Sequence, residues 1–429
     1  MRLASKFGKN NSQTSSKASE AVSTRGSPLQ SPRCPKYLTL DLWRGLACLM
    51  IVVIHAAHNA NEPGDDAGAI GRFILMVIGK MGVGVPMFFV ISGYCISATS
   101  DSTRRKPSAP VQFFSRRFRR IFPPYWVLAL ISIILVVFLT ALGQGDLVSG
   151  AYGLISHPSQ VSWSQWLGNL TLTETWRHHL FGDPELKIIG PSWTLCYEEQ
   201  FYAVCGLLLI VAPRRFFAGS ALVTLLTLAI APLGFLNEGV AIQGFFFDGR
   251  WLMFAEGVAV YYILNYQRSR RFGICSFTML LLALAALRWL VPAVKANDLW
   301  RDRVWELVAS TAFALSLFIL HRWDGRTAHS RVLRPIAICG QMCYSLYLVH
   351  WPIAVIMTTF FYRVGVRGVW PTLLIVAPLT IAASITASWI FHLWIERRFL
   401  NGPIKASVPD ISKSLGRQTP EVRLGIPNP

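Results

Sequence analysis

Arg44 and His55 stand eleven positions apart in one apolar run and are the residues of this chain best placed to do chemistry. The run, Leu38 to Ala57, also holds Asp41, and about 20 residues suffice to cross a bilayer as a helix. An ionisable side chain at the centre of such a helix costs about 2.5–3.5 kcal/mol even on lenient insertion scales, so it marks a functional position by default. Eleven residues make three helical turns, which puts Arg44 and His55 on one face about 16 Å apart along the axis. A cation near one side and a titratable base deeper on the same line describe a polar path into the membrane. Histidine suits the base because its ordinary pKa lies near neutrality. The plainer alternative is that Asp41 and Arg44 pair at i, i+3 while His55 caps the helix at the far headgroups.

Four further segments carry chemistry-bearing residues. The first, Phe113-Phe-Ser-Arg116-Arg117-Phe-Arg119-Arg120-Ile-Phe-Pro123-Pro124, leads into an apolar stretch. Dense arginines there anchor topology and touch anionic lipid. Arg117 and Arg120, at i, i+3, also present planar forks suited to phosphate oxygens. The second, Trp193-Thr-Leu-Cys-Tyr-Glu198-Glu199-Gln200-Phe-Tyr202, opens another apolar stretch. Adjacent residues on a helix point about 100° apart, so only one of Glu198 and Glu199 can line a shared cavity; otherwise both are solvated headgroup-level charges beside a helix N-terminus. The third, Phe88-Phe89-Val-Ile-Ser92-Gly93, reads first as a small-residue packing face. The fourth, Tyr344-Ser345-Leu-Tyr347-Leu-Val-His350-Trp-Pro352, offers hydrogen-bonding groups within a bundle and a kink at the proline. Near the end, Glu396 with Arg397 and Arg398 is placed to meet the Arg117 cluster as an ion-pair partner.

These residues need a scaffold, and composition names it. Hydrophobic residues make up 53% of the 429 and charged ones 15%, against about 25% charged in soluble domains. The expected fold is an all-α integral membrane bundle of about ten helices, near 38–57, 82–100, 121–142, 193–212, 217–236, 246–265, 275–292, 304–321, 335–359 and 371–395. The net charge of +19 does not imply nucleic acid, because 29 of the 41 Lys and Arg fall in alternate segments, counting the N-terminal tail as cytoplasmic, and 10 in the opposite ones. By the positive-inside rule both termini are cytoplasmic and 143–190 is outside. Trp163, Trp166, Trp176, His178 and His179 in that segment suit either an interfacial belt or stacking on sugar rings. Residues 1–37 and 400–429 read as polar cytoplasmic tails around one membrane domain, 38–399. No cleaved signal peptide is expected. The eight cysteines have no metal-ligand spacing with histidines, so neither zinc nor disulfides are expected. No internal repeat is visible, which counts against a transporter built on inverted halves.

Taken together, the segments resemble the acyltransferase-3 family, multi-pass O-acyltransferases that decorate surface glycans and some macrolides. The resemblance lies in Asp41, Arg44, Gly45 and His55; in Phe88, Phe89, Ser92 and Gly93; in Arg117, Arg120, Ile121 and Pro123; in Trp193 through Tyr202, with Thr194 where the family has serine; and in Tyr344 through Pro352. Three departures stand out: Glu396-Arg397-Arg398-Phe399 lacks the family's proline, Leu42 replaces a common glycine, and no fused hydrolase-like domain is seen. The resemblance implies a bacterial inner-membrane enzyme with no bound cofactor, with acyl-CoA, acetyl-CoA first, as co-substrate and a carbohydrate, including a lipid-linked one, as acceptor. His55 would be the base, with Glu198 or Glu199 orienting it. Arg44, Arg117 and Arg120 would hold donor phosphates, and Asp41, Ser92, Tyr347, His350 and Glu396 would support the site. A macrolide-like acceptor, or transport of a polar solute or glycan-lipid, is the competing expectation.

Overall fold

The computed structural model describes residues 37–60, 67–148, 157–236, 243–267, 269–290 and 298–400. The expected tails, apart from Tyr37 and Leu400, therefore lie outside the described residues, as do parts of the loops. The described residues form helices and turns, with no strand among them. Among the described residues, eight helical segments are long and apolar enough to cross a membrane, from Gly68–Thr103 to Val369–Phe399. Large apolar side chains on their outer faces, such as Leu130, Ile134, Leu207, Leu222, Met279 and Leu374, are exposed. Hydrocarbon surroundings are the setting in which such a surface costs nothing.

Helix α1 (Leu40–Ala56) carries the Arg44–His55 face. Its first turn is held by a carboxylate from far along the chain: Asp324 accepts from the Leu38 amide at 2.6 Å, the Thr39 amide at 3.0 Å and the Thr39 hydroxyl at 2.6 Å. These donors have no partner inside the helix, and the helix dipole favours an anion there. Helix α2 (Gly68–Lys80) runs through a tight turn into α3 (Gly84–Thr103). The arginine cluster and the third apolar run then prove to be one helix, α4 (Ala109–Ala141), which continues through Pro123 and Pro124. Two short helices, α5 (Trp163–Thr171) and α6 (Glu174–Phe181), precede α7 (Trp193–Val211) and α8 (Phe216–Leu236). Helices α9 (Arg250–Tyr262), α10 (Arg270–Leu290) and α11 (Asp298–Leu320) follow, then the short α12 (Asp324–Ala328).

The ninth expected span is two helices, α13 (Arg334–Gln341) and α14 (Cys343–Arg363), broken at Met342. The last, α15 (Ala377–Phe391), is extended by π-helical turns at Thr372–Val376 and His392–Glu396. Helix α14 is the central one: Cys343 through Pro352 are all buried, and it continues through Pro352.

Glycines bring these helices close. A Cβ on Gly93 would strike the Phe254 carbonyl, and one on Gly257 the Val90 carbonyl, so α3 and α9 cross backbone to backbone. Gly45 and Gly340 do the same for α1 and α13. The packing reading of Ser92-Gly93 holds for the glycine; the serine has another partner, described below. Residues 157–190 fold over one end of the bundle, here termed the loop face; the opposite end, where α1 begins and α15 ends, is the tail face. The loop is built on a buried pair, Arg177 Nε and Nη2 donating to Glu174 at 2.8 and 2.9 Å.

Candidate active site

The first-helix face meets α14. Arg44 donates to Asp41 at 2.8 Å, the i, i+3 pair the sequence suggests, and reaches Cys95 Sγ at 2.9 Å. Cys48 contacts the Cys343 carbonyl at 3.7 Å. Further along, His55 Nδ1 lies 3.0 Å from His350 Nε2, with the rings stacked at 5.2 Å and 15°. The Trp351 ring stands edge-on to His55 at 5.0 Å, and Gly190 packs against that indole so closely that a Cβ would collide with it.

The tautomers follow from the hydrogen bonds. His350 Nδ1 lies 2.9 Å from the Leu346 carbonyl, which can only accept. His350 Nδ1 therefore carries the proton, and in the neutral ring Nε2 is left as an acceptor. His55 Nδ1 must then donate to it, which leaves a lone pair on His55 Nε2. The pair is wired so that the outer nitrogen of His55 can take a proton.

A cavity of about 100 Å³ runs from the tail face toward this pair. Its wall includes Arg44, Arg117 and Arg120 at one end and Ile51, Thr194 and Tyr347 at the other. Arg117 leans over Tyr202 at 5.3 Å and Phe113 at 5.8 Å, and its Nε has no hydrogen-bond partner among the described residues. Arg116 and Arg119, equally spaced in sequence, are exposed. The 100° step between neighbours separates the two carboxylates: Glu198 lines the cavity and accepts from Ser92 at 2.7 Å, while Glu199 is absent from the wall and its Oε1 has no partner among the described residues. The cavity stops short of His55. Ile51 is one turn before it, about 6 Å along the axis, and Tyr347 closes the end by hydrogen bonding Thr194 at 2.6 Å and the Pro191 carbonyl.

Residues 37–392 match the family model for the acyltransferase-3 domain. The chain belongs to the acyltransferase-3 family. Among curated proteins it is similar to the O-acetyltransferase OatA of Staphylococcus aureus, 25% identical over 395 residues, 88% of this chain and 58% of that one. It thus spans somewhat over half the length of that relative. A protein named as a membrane-bound transacylase, BcsY of Komagataeibacter xylinus, is 24% identical over 373 residues, 86% of this chain and 84% of the other. The acyltransferase MdmB of Streptomyces mycarofaciens is 26% identical over 172 residues, 39% and 38% of the two chains. No solved structure matches.

The structure brings together Arg44, Ser92, Arg117, Arg120, Glu198 and Tyr347 around one cavity, with His55 and His350 just beyond it. Two expectations change. The group at His55 Nδ1 is His350, whereas Glu198 is engaged by Ser92. Glu396 is buried and accepts from Ser345 at 2.6 Å and His392 at 2.7 Å, so its partners lie on its own end of α15 and on α14 instead of in the Arg117 cluster. Sequence reasoning did not foresee that Cys95, Tyr202 and Cys343 complete the cavity wall, nor the His55–His350 pairing. The signal for the latter is the spacing of Cys343, Tyr347 and His350, a four-then-three stripe on one helical face. Of the loop aromatics, Trp163 packs on Phe181 at 5.7 Å, and Trp176 and His179 stack on Phe245 from the segment before α9 at 6.0 and 5.8 Å.

Proposed function

We propose that this protein is a membrane O-acyltransferase that moves an acyl group, most simply acetyl, from acyl-CoA entering at the tail face to a hydroxyl of a carbohydrate acceptor held at the loop face. The observation that carries the reading is the His55–His350 pair, with a lone pair on His55 Nε2 beyond the closed end of a cavity walled by three arginines. The names of its relatives, an O-acetyltransferase and acyltransferases, support the same chemistry.

In this mechanism Arg117 and Arg120, with Arg44 deeper, engage the phosphates of the donor through guanidinium forks. The pantetheine arm enters the cavity past Ser92 and Glu198, and the thioester passes the Tyr347–Thr194 contact to reach His55. The acceptor oxygen attacks the thioester carbonyl as His55 Nε2 takes its proton; the C–S bond then breaks, and the protonated His55 returns the proton to the CoA sulfur. General-base help of this kind contributes typically 10²–10⁴-fold. His350, accepting from His55 Nδ1, holds the ring in the competent tautomer and stabilises it while charged. The cytoplasmic position of the tail face rests on the basic asymmetry of the loops.

The test is release of free CoA by purified protein from acetyl-CoA, with and without candidate carbohydrate acceptors. Acceptor-dependent release, abolished in His55→Ala with insertion unchanged, is expected. Release that survives His55→Ala would remove His55 from the chemistry, and movement of an acceptor across vesicles with no change of mass would make the protein a transporter.

A further inference from the structure

At the tail face a pocket of about 800 Å³ opens between the α3–α4 turn and the α7–α8 turn. Its wall holds four cations, Arg104, Arg105 and Lys106 from the first turn and Arg214 from the second, and no carboxylate. Arg104 is fixed in place. Its Nε lies 2.8 Å from Asp101, its Nη2 donates to the Tyr266 hydroxyl at 2.9 Å, and its Nη1 donates to the Arg214 carbonyl at 3.2 Å. The guanidinium also lies over the Phe217 ring at 5.4 Å. Asp101 accepts in turn from Tyr261 at 2.9 Å and Tyr266 at 2.6 Å. That carboxylate is thus taken up, and the side chains of Arg105, Lys106 and Arg214 are exposed, with no ion-pair partner among the described residues. Helices α4 and α8 both begin at this rim, at Ala109 and Phe216, and a helix start adds partial positive charge to that of the side chains.

The rest of the wall is apolar, made by Pro107, Pro110 and Pro213 with Leu209 and Ile210 on the last turn of α7. Ile210 and Val211 of α7 and Val111 of α4 are well exposed, so apolar surface continues from the pocket onto the outer faces of both helices. Cations set over an apolar wall, at the level where membrane helices end, are the surroundings of a phospholipid headgroup. A soluble anion would have no use for the apolar half. The chain's own tails are unsuited by charge: residues 1–36 hold 7 Lys and Arg against 1 Glu, and residues 401–429 hold 4 against 2 acidic residues. The anion that complements this pocket therefore comes from the membrane.

We infer that this pocket binds an anionic phospholipid with two phosphate groups, of the diphosphatidylglycerol type, one phosphate on Arg105 and Lys106, the other on Arg214, and its chains along Leu209 and Ile210. Three uncompensated cations on two sides of the pocket match two phosphodiesters better than one. The position gives the lipid a consequence. Pro110 and Arg117 are seven residues apart on α4, and Tyr202 and Leu209 seven apart on α7, two turns or about 10 Å in each case. The pocket and the arginine-lined cavity thus share one α4–α7 seam. Between them Phe114 packs on Gly206 so closely that a Cβ there would collide with the ring. A lipid that bridges the two turns clamps this seam, and with it the placement of Arg117 over Tyr202. The donor role of Arg117 rests on the acyl-transfer reading above; the lipid site does not.

Tetraoleoyl cardiolipin is the probe, added to delipidated protein in detergent and read by native mass spectrometry and competition. It should bind about tenfold tighter than dioleoyl phosphatidylglycerol, and dioleoyl phosphatidylcholine should not displace it. Arg105→Gln with Lys106→Gln, and separately Arg214→Gln, should each weaken binding by about tenfold. The second variant leaves Arg215 as a topological charge and keeps the carbonyl that Arg104 uses. Arg331→Gln with Arg334→Gln removes charge from another exposed part of the tail face and should leave binding unchanged. Equal binding of cardiolipin and phosphatidylglycerol, or an equal loss in the Arg331 and Arg334 variant, would overturn the inference. So would displacement by inorganic pyrophosphate or adenosine 3′,5′-bisphosphate as effective as by cardiolipin, since the site would then serve soluble phosphates. Cardiolipin should also raise the apparent affinity for acetyl-CoA in the wild type and not in Arg214→Gln; an unchanged affinity with the lipid bound would remove the clamp. Cardiolipin binding without any CoA release would leave the lipid site standing and remove the acyl-transfer reading.

Discussion

Replacing His350 by leucine tests the wiring of the histidine pair more sharply than removing His55. Leucine is close to histidine in volume, so the fully buried position, 0% exposed, is refilled without a large cavity. The Leu346 carbonyl that His350 Nδ1 contacts belongs to the same helix, one turn earlier. The group that loses its partner is His55 Nδ1–H, 3.0 Å from the deleted Nε2. Leaving a partly buried donor unsatisfied costs about 1–3 kcal/mol, so if the bond is needed to hold the competent tautomer, kcat should fall by about 5- to 150-fold. His350→Gln keeps an acceptor on a flexible stem and should lose less. Because the two histidines act as one unit, His55→Ala with His350→Leu should be no slower than His55→Ala alone. The assay is single-turnover CoA release at saturating acetyl-CoA, with insertion and size-exclusion behaviour checked for every variant. A His350→Leu protein that inserts normally and turns over at the wild-type rate, or a double variant whose losses multiply, would refute the relay.

Three other outcomes are expected. Arg117→Lys with Arg120→Lys keeps charge but loses the fork, so insertion should be normal while the apparent affinity for acyl-CoA falls by about 1–3 kcal/mol per lost charged hydrogen bond; equal affinity by titration in matched detergent would return the pair to a topological anchor. A cysteine engineered at the exposed Ser159, in a background lacking reactive native thiols, should be labelled from outside intact cells, and labelling only after permeabilisation would invert the topology. Hydrogen bonds from Ser164 and then Ser162 lower the Asp183 carboxyl below its ordinary value of 3.8. A lowered carboxylate stabilises the fold above its unfolded pKa and loses that contribution as pH falls through the folded value. Hydrogen exchange of residues 157–190 should therefore rise below about pH 4 in the wild type, and Asp183→Asn should remove this acid-dependent step.

The broad architecture was legible because hydrocarbon solvent leaves few options: the apolar runs had to be helices. What was misread are boundaries that hydropathy does not encode. Arg116 to Arg120 lie on the same helix as the apolar run that follows, since nothing at Pro123 and Pro124 ends α4. The break at Met342 leaves no mark in composition, because α13 and α14 are both largely apolar. At the site, Arg116 and Arg119 share the i, i+3 spacing of Arg117 and Arg120, and only the helices packed around α4 turn the second pair to the cavity and leave the first exposed. The sequence offered Glu198 or Glu199 as the group that orients His55 and His350 only as a supporting residue, because which side chain touches His55 depends on how α1, α7 and α14 cross, and those crossings are set by contacts such as Gly45 with Ile336 and Gly190 with Trp351.

The cost of intramembrane charge, which first singled out Arg44 and His55, also sorts the remaining ionisable groups. Most are satisfied within the protein: Arg44 by Asp41, His55 by His350, Glu198 by Ser92, Glu396 by Ser345 and His392. A satisfied group of this kind can be structural, because its desolvation is offset by its own hydrogen bonds. Other ionisable atoms are left without partners among the described residues. Arg117 Nε and Glu199 Oε1 lie near the arginine-lined cavity, and Arg250 Nε, Glu256 Oε2 and Arg303 Nε lie on α9 and α11. Of these groups Arg117 lines the arginine-walled cavity, so its open Nε is the position at which the proposed donor would make a hydrogen bond that the described residues do not supply.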